Sequence, residues 1–172
     1  MKHLYQILVM LFALVLGQAS WQSTQAEALP AEKLRVVATI APIAMLAEEA
    51  LPASFDIQTL IDGSVSPHDF ALSPSMAHLL SQAELVLWSG PNVEHALADK
   101  LTTLAPNAVI MQLGETAPHF WLDPKQAANV VTRLRAKFSD QQTAPADFSK
   151  LNTTITNTLA GLQDVPFLAM HN

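Results

Sequence analysis

Cysteine is missing from this chain of 172 residues. That absence excludes disulfides, so the fold has to rest on packing. It excludes thiolate ligands, so any transition-metal site is built from His, Asp and Glu. It also excludes a cysteine lipid anchor behind the N-terminal apolar run. Positive charge is scarce as well: 9 Lys and Arg stand against 15 Asp and Glu, for a net charge of −6. Such a balance argues against nucleic acid or an anionic membrane surface as partner and is compatible with cations. A membrane-length hydrophobic run is lacking too. Ile7 to Leu16 is an unbroken apolar run of only ten residues, about half of the roughly 20 that a bilayer requires. Nor is there a G-x-G-x-x-G, a Walker A motif, a G-x-S-x-G elbow or an H-E-x-x-H.

What is present at the start of the chain has the layout of a secretory signal. Lys2 precedes the apolar run, and Ala26-Glu27-Ala28 is a small-x-small cleavage site. Residues 1–28 are therefore read as a signal peptide cut after Ala28, with Ala19 as the alternative site. A membrane anchor or a buried core helix is the competing reading of the run, and its length fits these less well. The segment carries one base, Lys2, and one acid, Glu27, so its removal leaves the charge unchanged. A soluble, periplasmic product is expected, with residues 29–172 large enough for a real core.

Beyond residue 33, strand-length apolar runs alternate with helical spacing. Leu34–Ile40, Phe55–Ile61, Leu85–Trp88 and Val109–Met111 read as strands. Helices are expected at Ile43–Ala50 behind Pro42, after Ser73-Pro74, and at Val93–Leu104. The pattern predicts an α/β fold: a four-stranded, mostly parallel sheet flanked by helices on both faces, with right-handed crossovers. From Asp123 the texture changes. Asp123 caps a helix from Lys125 to about Phe138, and a longer helix is expected from Ala146 to Leu162, with Phe148, Leu151, Ile155, Leu159 and Leu162 on one face. Val165–Met170 begins another strand that has no partner after it. The boundaries that follow are 29–122 for an N-terminal lobe, 123–162 for linking helices and 163–172 for the start of a further, truncated lobe.

Three of the six histidines fall just past strands: His68, His119 and His171. In parallel α/β sheets, ligands bind in the crevice beyond the C-terminal strand ends. Each histidine has an ordinary alternative taken singly: a surface-loop residue for His68, a backbone-bonded core residue for His119, an arbitrary terminal residue for His171. Pro118, Phe120 and Trp121 around His119 predict partial burial, and a metal with a further acceptor would satisfy both ring nitrogens. Neutral imidazole suits Zn, Cu, Ni or Fe. His78 and His95 fall inside predicted helices and are read as surface residues. Asp123 is better explained as a helix cap than as a ligand. Trp88 and Trp121 are read as core or pocket-wall residues.

Three stretches carry a family resemblance. "LIDGSVSPHDFALSPSMAHLLSQAELVLWSGPNVE" (Leu60 to Glu94), "HFWLDP" (His119 to Pro124) and "PFLAMHN" (Pro166 to Asn172) resemble, in order and at sensible spacing, the metal-binding proteins of cluster A-I ABC importers, zinc-binding members above all. The resemblance implies two α/β lobes joined by a long helix, here Ala146–Leu162, with metal held between them. It implies His68 and His119 as ligands from the first lobe and His171 from the second. Family members for manganese typically carry a carboxylate at that third position, so His171 implies Zn2+ as the transported ligand, with manganese or another divalent metal as the alternative. The implied function is capture of zinc in the periplasm by a monomeric protein and its delivery to an ABC permease in the inner membrane. The chain departs from the resemblance in having only the short Gly114–Pro118 segment where many zinc members carry a His- and Asp-rich loop. The second lobe and its carboxylate ligand are also not in this sequence, which leaves a non-functional fragment as a further alternative. Weak metal binding and a tendency to aggregate are expected on that account. An enzyme is not expected: a three-histidine zinc could activate water, but no motif places a general base.

Overall fold

The computed structural model describes residues 32–115, 117–139 and 144–166. Strands β1 (Leu34–Ile40), β2 (Phe55–Ile61), β3 (Leu85–Trp88) and β4 (Val109–Gln112) form one sheet in the order β2-β1-β3-β4, and every pairing is parallel. The order follows from the strand sequences. In β3 all four residues are buried, and in β1 the five from Val36 to Ile40 are buried without alternation, as central strands covered on both faces must be. β2 mixes exposed and buried positions, no residue of β4 is fully buried, and these two strands take the edges. Register runs Val36 against Ile57 on one side and Val36 against Leu85 on the other.

The helices are α1 (Ala41–Ala50), α2 (Pro74–Ser81), α3 (Leu101–Leu104), α4 (Pro124–Phe138) and α5 (Ser149–Leu159). The chain steps outward from β1 to β2, then returns past β1 to β3 and on to β4. Right-handed crossovers therefore place α1 on one face and α2 and α3 on the other. α1 packs on α4, and α2 on α3. The buried residues include Ile43, Ala44 and Ala47 on α1 and Ala127, Val130, Val131 and Leu134 on α4, three- and four-residue spacings that make one stripe per helix. Arg135 of α4 pairs with Glu49 of α1 at 2.6 Å and also donates to the Glu49 carbonyl. Among the described residues no helix is long and apolar enough to cross a membrane.

The four strands form as expected, with β4 one residue longer at Gln112. Ser73 caps α2 by accepting from the Met76 N–H at 3.2 Å. Two helical expectations need correction. Val93–Leu104 is not one helix: it is a 3-10 turn at His95–Leu97 and the single turn of α3. The cause is Glu94, whose side chain turns inward to bond the end of β3 and whose backbone (φ −104°, ψ 65°) leaves the helical region. The long helix starts at Ser149, not Ala146. Ala146 donates its N–H to Thr132 of α4, and the Asp147 carboxylate takes the Ser149 N–H, so these residues tether and cap. The helix then tightens into a 3-10 turn at Ala160–Leu162. The signal-peptide residues, the Phe167–Met170 part of the final strand and His171 lie outside the described residues.

Candidate metal centre

A parallel sheet of order 2-1-3-4 has its switch point between β1 and β3, where successive crossovers leave in opposite directions and open a crevice at the C-terminal strand ends. β1 and β3 pair from Val36–Leu85 to Ala38–Leu87, just below that opening. The Glu94 side chain fills it. This carboxylate is 0% exposed and accepts from Thr39 Oγ1 at the end of β1 (2.6 Å) and from the N–H groups of Ser89 (3.2 Å) and Gly90 (3.0 Å) at the end of β3. Burial pushes the Glu94 carboxyl above its ordinary value, against these three hydrogen bonds, which pull it down. Gly90 takes φ 135°, a conformation that a side chain would strain, and so lets the chain reverse toward Glu94.

His68 follows β2 in a turn built from polar side chains. Asp62 accepts from the Ser64 N–H and hydroxyl, and Ser66 Oγ accepts from the His68 N–H at 3.3 Å. Buried Phe70 roots the segment in the core. His119 is set by the extension of β4. Leu113 and Gly114 continue the ladder onto Trp88 and Ser89 (2.8 and 3.0 Å), and the Ser89 hydroxyl donates to the Pro118 carbonyl. Gly114 is required there, since a Cβ would stand 2.6 Å from both Ser89 O and Ser89 Oγ. Phe120, 2% exposed, anchors the next residue in the core. Trp121 stands edge-on to the His119 ring at 5.3 Å.

The two histidines meet. Their rings are 5.5 Å apart, and Nε2 of His119 lies 3.4 Å from Nε2 of His68. That separation is long for a hydrogen bond. Two nitrogens bound to one tetrahedral zinc at about 2.0–2.1 Å stand roughly 3.3–3.4 Å apart, so the pair already has the edge length of a zinc coordination sphere. Both rings are half-buried and face a cleft of about 260 Å³ walled by Ile40, Ile61, Val65 and Trp121, with Asp62 at its polar side. His119 is thus partly buried, and Trp121 is a cleft wall, as the sequence suggests.

Asp123 serves as the cap of α4. The Gln126 amide and the Lys125 N–H engage its two oxygens and hold its carboxyl below the usual carboxylate range. His78 is exposed on α2. His95 is placed differently from its reading as a helical surface residue: it opens the 3-10 turn after β3, and its ring lies 6.2 Å from that of His68. The strand-end rule that singled out His68 and His119 would have found it, had Val93–Leu104 not looked helical. Glu94 carried no such signal beyond its apolar neighbours Val93 and Leu97, both fully buried. Among the described residues no three His, Asp or Glu side chains converge at metal-binding distance as they stand.

The chain is similar to known metal-binding proteins. A family model described as zinc-uptake complex component A, periplasmic, matches residues 36–165. The high-affinity zinc uptake system protein ZnuA of Yersinia pestis is 39% identical over 75 residues, which are 44% of this chain and 24% of that protein. The manganese ABC transporter substrate-binding lipoprotein PsaA of Streptococcus anginosus is 28% identical over 162 residues, covering 80% of this chain and 52% of that one. Zn(II)-bound AdcA from Streptococcus pneumoniae shares the fold, with a TM-score of 0.55 at 21% identity over 75% of this chain and 29% of that chain. The chain spans between about a quarter and about half of the length of these curated relatives.

Proposed function

We propose a metal-capture role from a family premise: the chain belongs to the family of zinc-uptake complex component A, periplasmic. In this reading the chain binds a divalent metal outside the cytoplasm and hands it to an ABC permease in the inner membrane, after export directed by residues 1–28. His68 and His119 hold the metal, and His171 is a further ligand from the part of the chain beyond the described residues. The observation that carries the reading is the pair of imidazole nitrogens 3.4 Å apart at the mouth of a cleft. Zinc is the favoured cargo, because neutral imidazole suits zinc while carboxylate, carbonyl and water suit manganese. Relatives named for zinc and for manganese both resemble the chain, so manganese is the competitor to test against. Binding rather than catalysis fits the carboxylates near the histidines. Glu94 is committed to the β1 and β3 ends, Asp123 to capping α4 and Asp62 to the turn at Ser64, so none of these is set to act as a general base.

Isothermal titration of the chain with Zn2+ and with Mn2+ tests the reading. Zinc should bind more tightly than manganese, and His68→Ala or His119→Ala should weaken zinc by roughly tenfold or more. If either variant binds zinc as well as the parent, the ligand assignment fails. Tighter binding of manganese would overturn the cargo.

A further inference from the structure

We propose that His95 is a third zinc ligand, so that residues 32–139 of this chain supply a three-imidazole centre by themselves. The inference rests on the metal-capture reading and adds a residue to it. His68 is the shared member of two ring contacts: His119 at 5.5 Å with rings inclined by 45°, and His95 at 6.2 Å inclined by 47°. Two imidazoles on one tetrahedral zinc place their ring centres roughly 5 Å apart, given metal–nitrogen bonds of about 2.0–2.1 Å. The first pair is close to that separation and the second about 1 Å outside it. His95 is exposed, so its ring is free to change rotamer toward His68.

The backbone itself is held. Glu94, the preceding residue, is clamped by Thr39, Ser89 and Gly90 across the β1–β3 opening. Leu97 is fully buried two residues further on. The turn that carries His95 is therefore fixed to the same strand ends that position the other two histidines, and only the ring has to turn inward. A third neutral nitrogen adds no negative charge, which sharpens the preference for zinc over manganese. It also makes one described unit sufficient for three-coordinate capture.

The test follows the ring nitrogens of the full chain, labelled with 15N at histidine, as one equivalent of Zn2+ is added. The inference expects the side-chain signals of His68, His119 and His95 to shift together, and to do so in His171→Ala as well. It expects His95→Ala and His95→Phe to weaken zinc by the same factor, roughly tenfold or more, because phenylalanine restores the ring contact and not the nitrogen. Unmoved His95 signals, or full zinc affinity in His95→Phe, overturn the inference while leaving the pair His68 and His119 intact. If zinc leaves the signals of all three unmoved, the metal-capture reading falls and the inference with it.

Discussion

Glu94 shows how one buried charge shapes a site it does not enter. Its carboxylate satisfies two backbone N–H groups and one hydroxyl at the point where β1 and β3 part. Glu94→Ala leaves those donors unpaired in a closed space and should cost about 2–4 kcal/mol by urea denaturation. Glu94→Gln keeps the shape and an acceptor, and isolates the charge. The folded carboxyl is raised above the unfolded value of about 4.3 by burial. Its stabilising contribution is thus fully present below that pH and is lost as pH rises through the folded value. The stability of the parent relative to Glu94→Gln should therefore fall as pH rises above about 4; a constant difference would contradict the burial account. Gly114 is the second such position. Gly114→Ala drives a methyl into Ser89 O and Oγ, and should lower stability by about 1–3 kcal/mol while loosening the loop that presents His119. Equal stability and zinc affinity would show that the close approach does not matter.

At the scale of elements, α4 and α5 make a contrast. Leu134 of α4 is fully buried in the core, whereas Leu151 of α5 is 52% exposed. Leu134→Ala should cost about 2–5 kcal/mol and Leu151→Ala no more than about 0.5, both read from urea midpoints. Leu151, Ile155, Leu159 and Leu162 lie exposed along one side, while Thr153, Thr154 and Thr158 bond back to carbonyls four residues earlier. β1 and β3 were legible in the sequence because their apolar residues run on without alternation from Val36 to Ala38 and from Leu85 to Trp88, a signal that is local. The 93–104 segment was not, because what breaks its helix is the inward-turned Glu94, which accepts from Ser89 and Gly90 at the end of β3 and from Thr39, 55 residues away. The site was legible to the same extent. His68, His119 and His95 each fall in the segment that follows a strand, but the turn that carries His95 imitates a helix in sequence.

For the whole molecule, the proposed metal site couples binding to fold. A ligand that binds only the folded chain at a hundred times its Kd adds about 2.7 kcal/mol, so excess zinc should raise the melting temperature and a chelator should reverse the rise. The shift should vanish in the His68→Ala, His119→Ala double variant; a shift that survives there would place the metal elsewhere. Metal needs unprotonated imidazole, so the zinc-induced shift should also shrink as the solution is made acidic. The net charge of −6 favours approach of a cation without choosing one, and the choice falls to the nitrogen pair. A crystal grown with Zn2+ and measured at the zinc absorption edge tests that pair most directly. The account predicts an anomalous peak about 2.0–2.1 Å from Nε2 of both His68 and His119. A peak away from these two nitrogens, or none with zinc in excess, would contradict it.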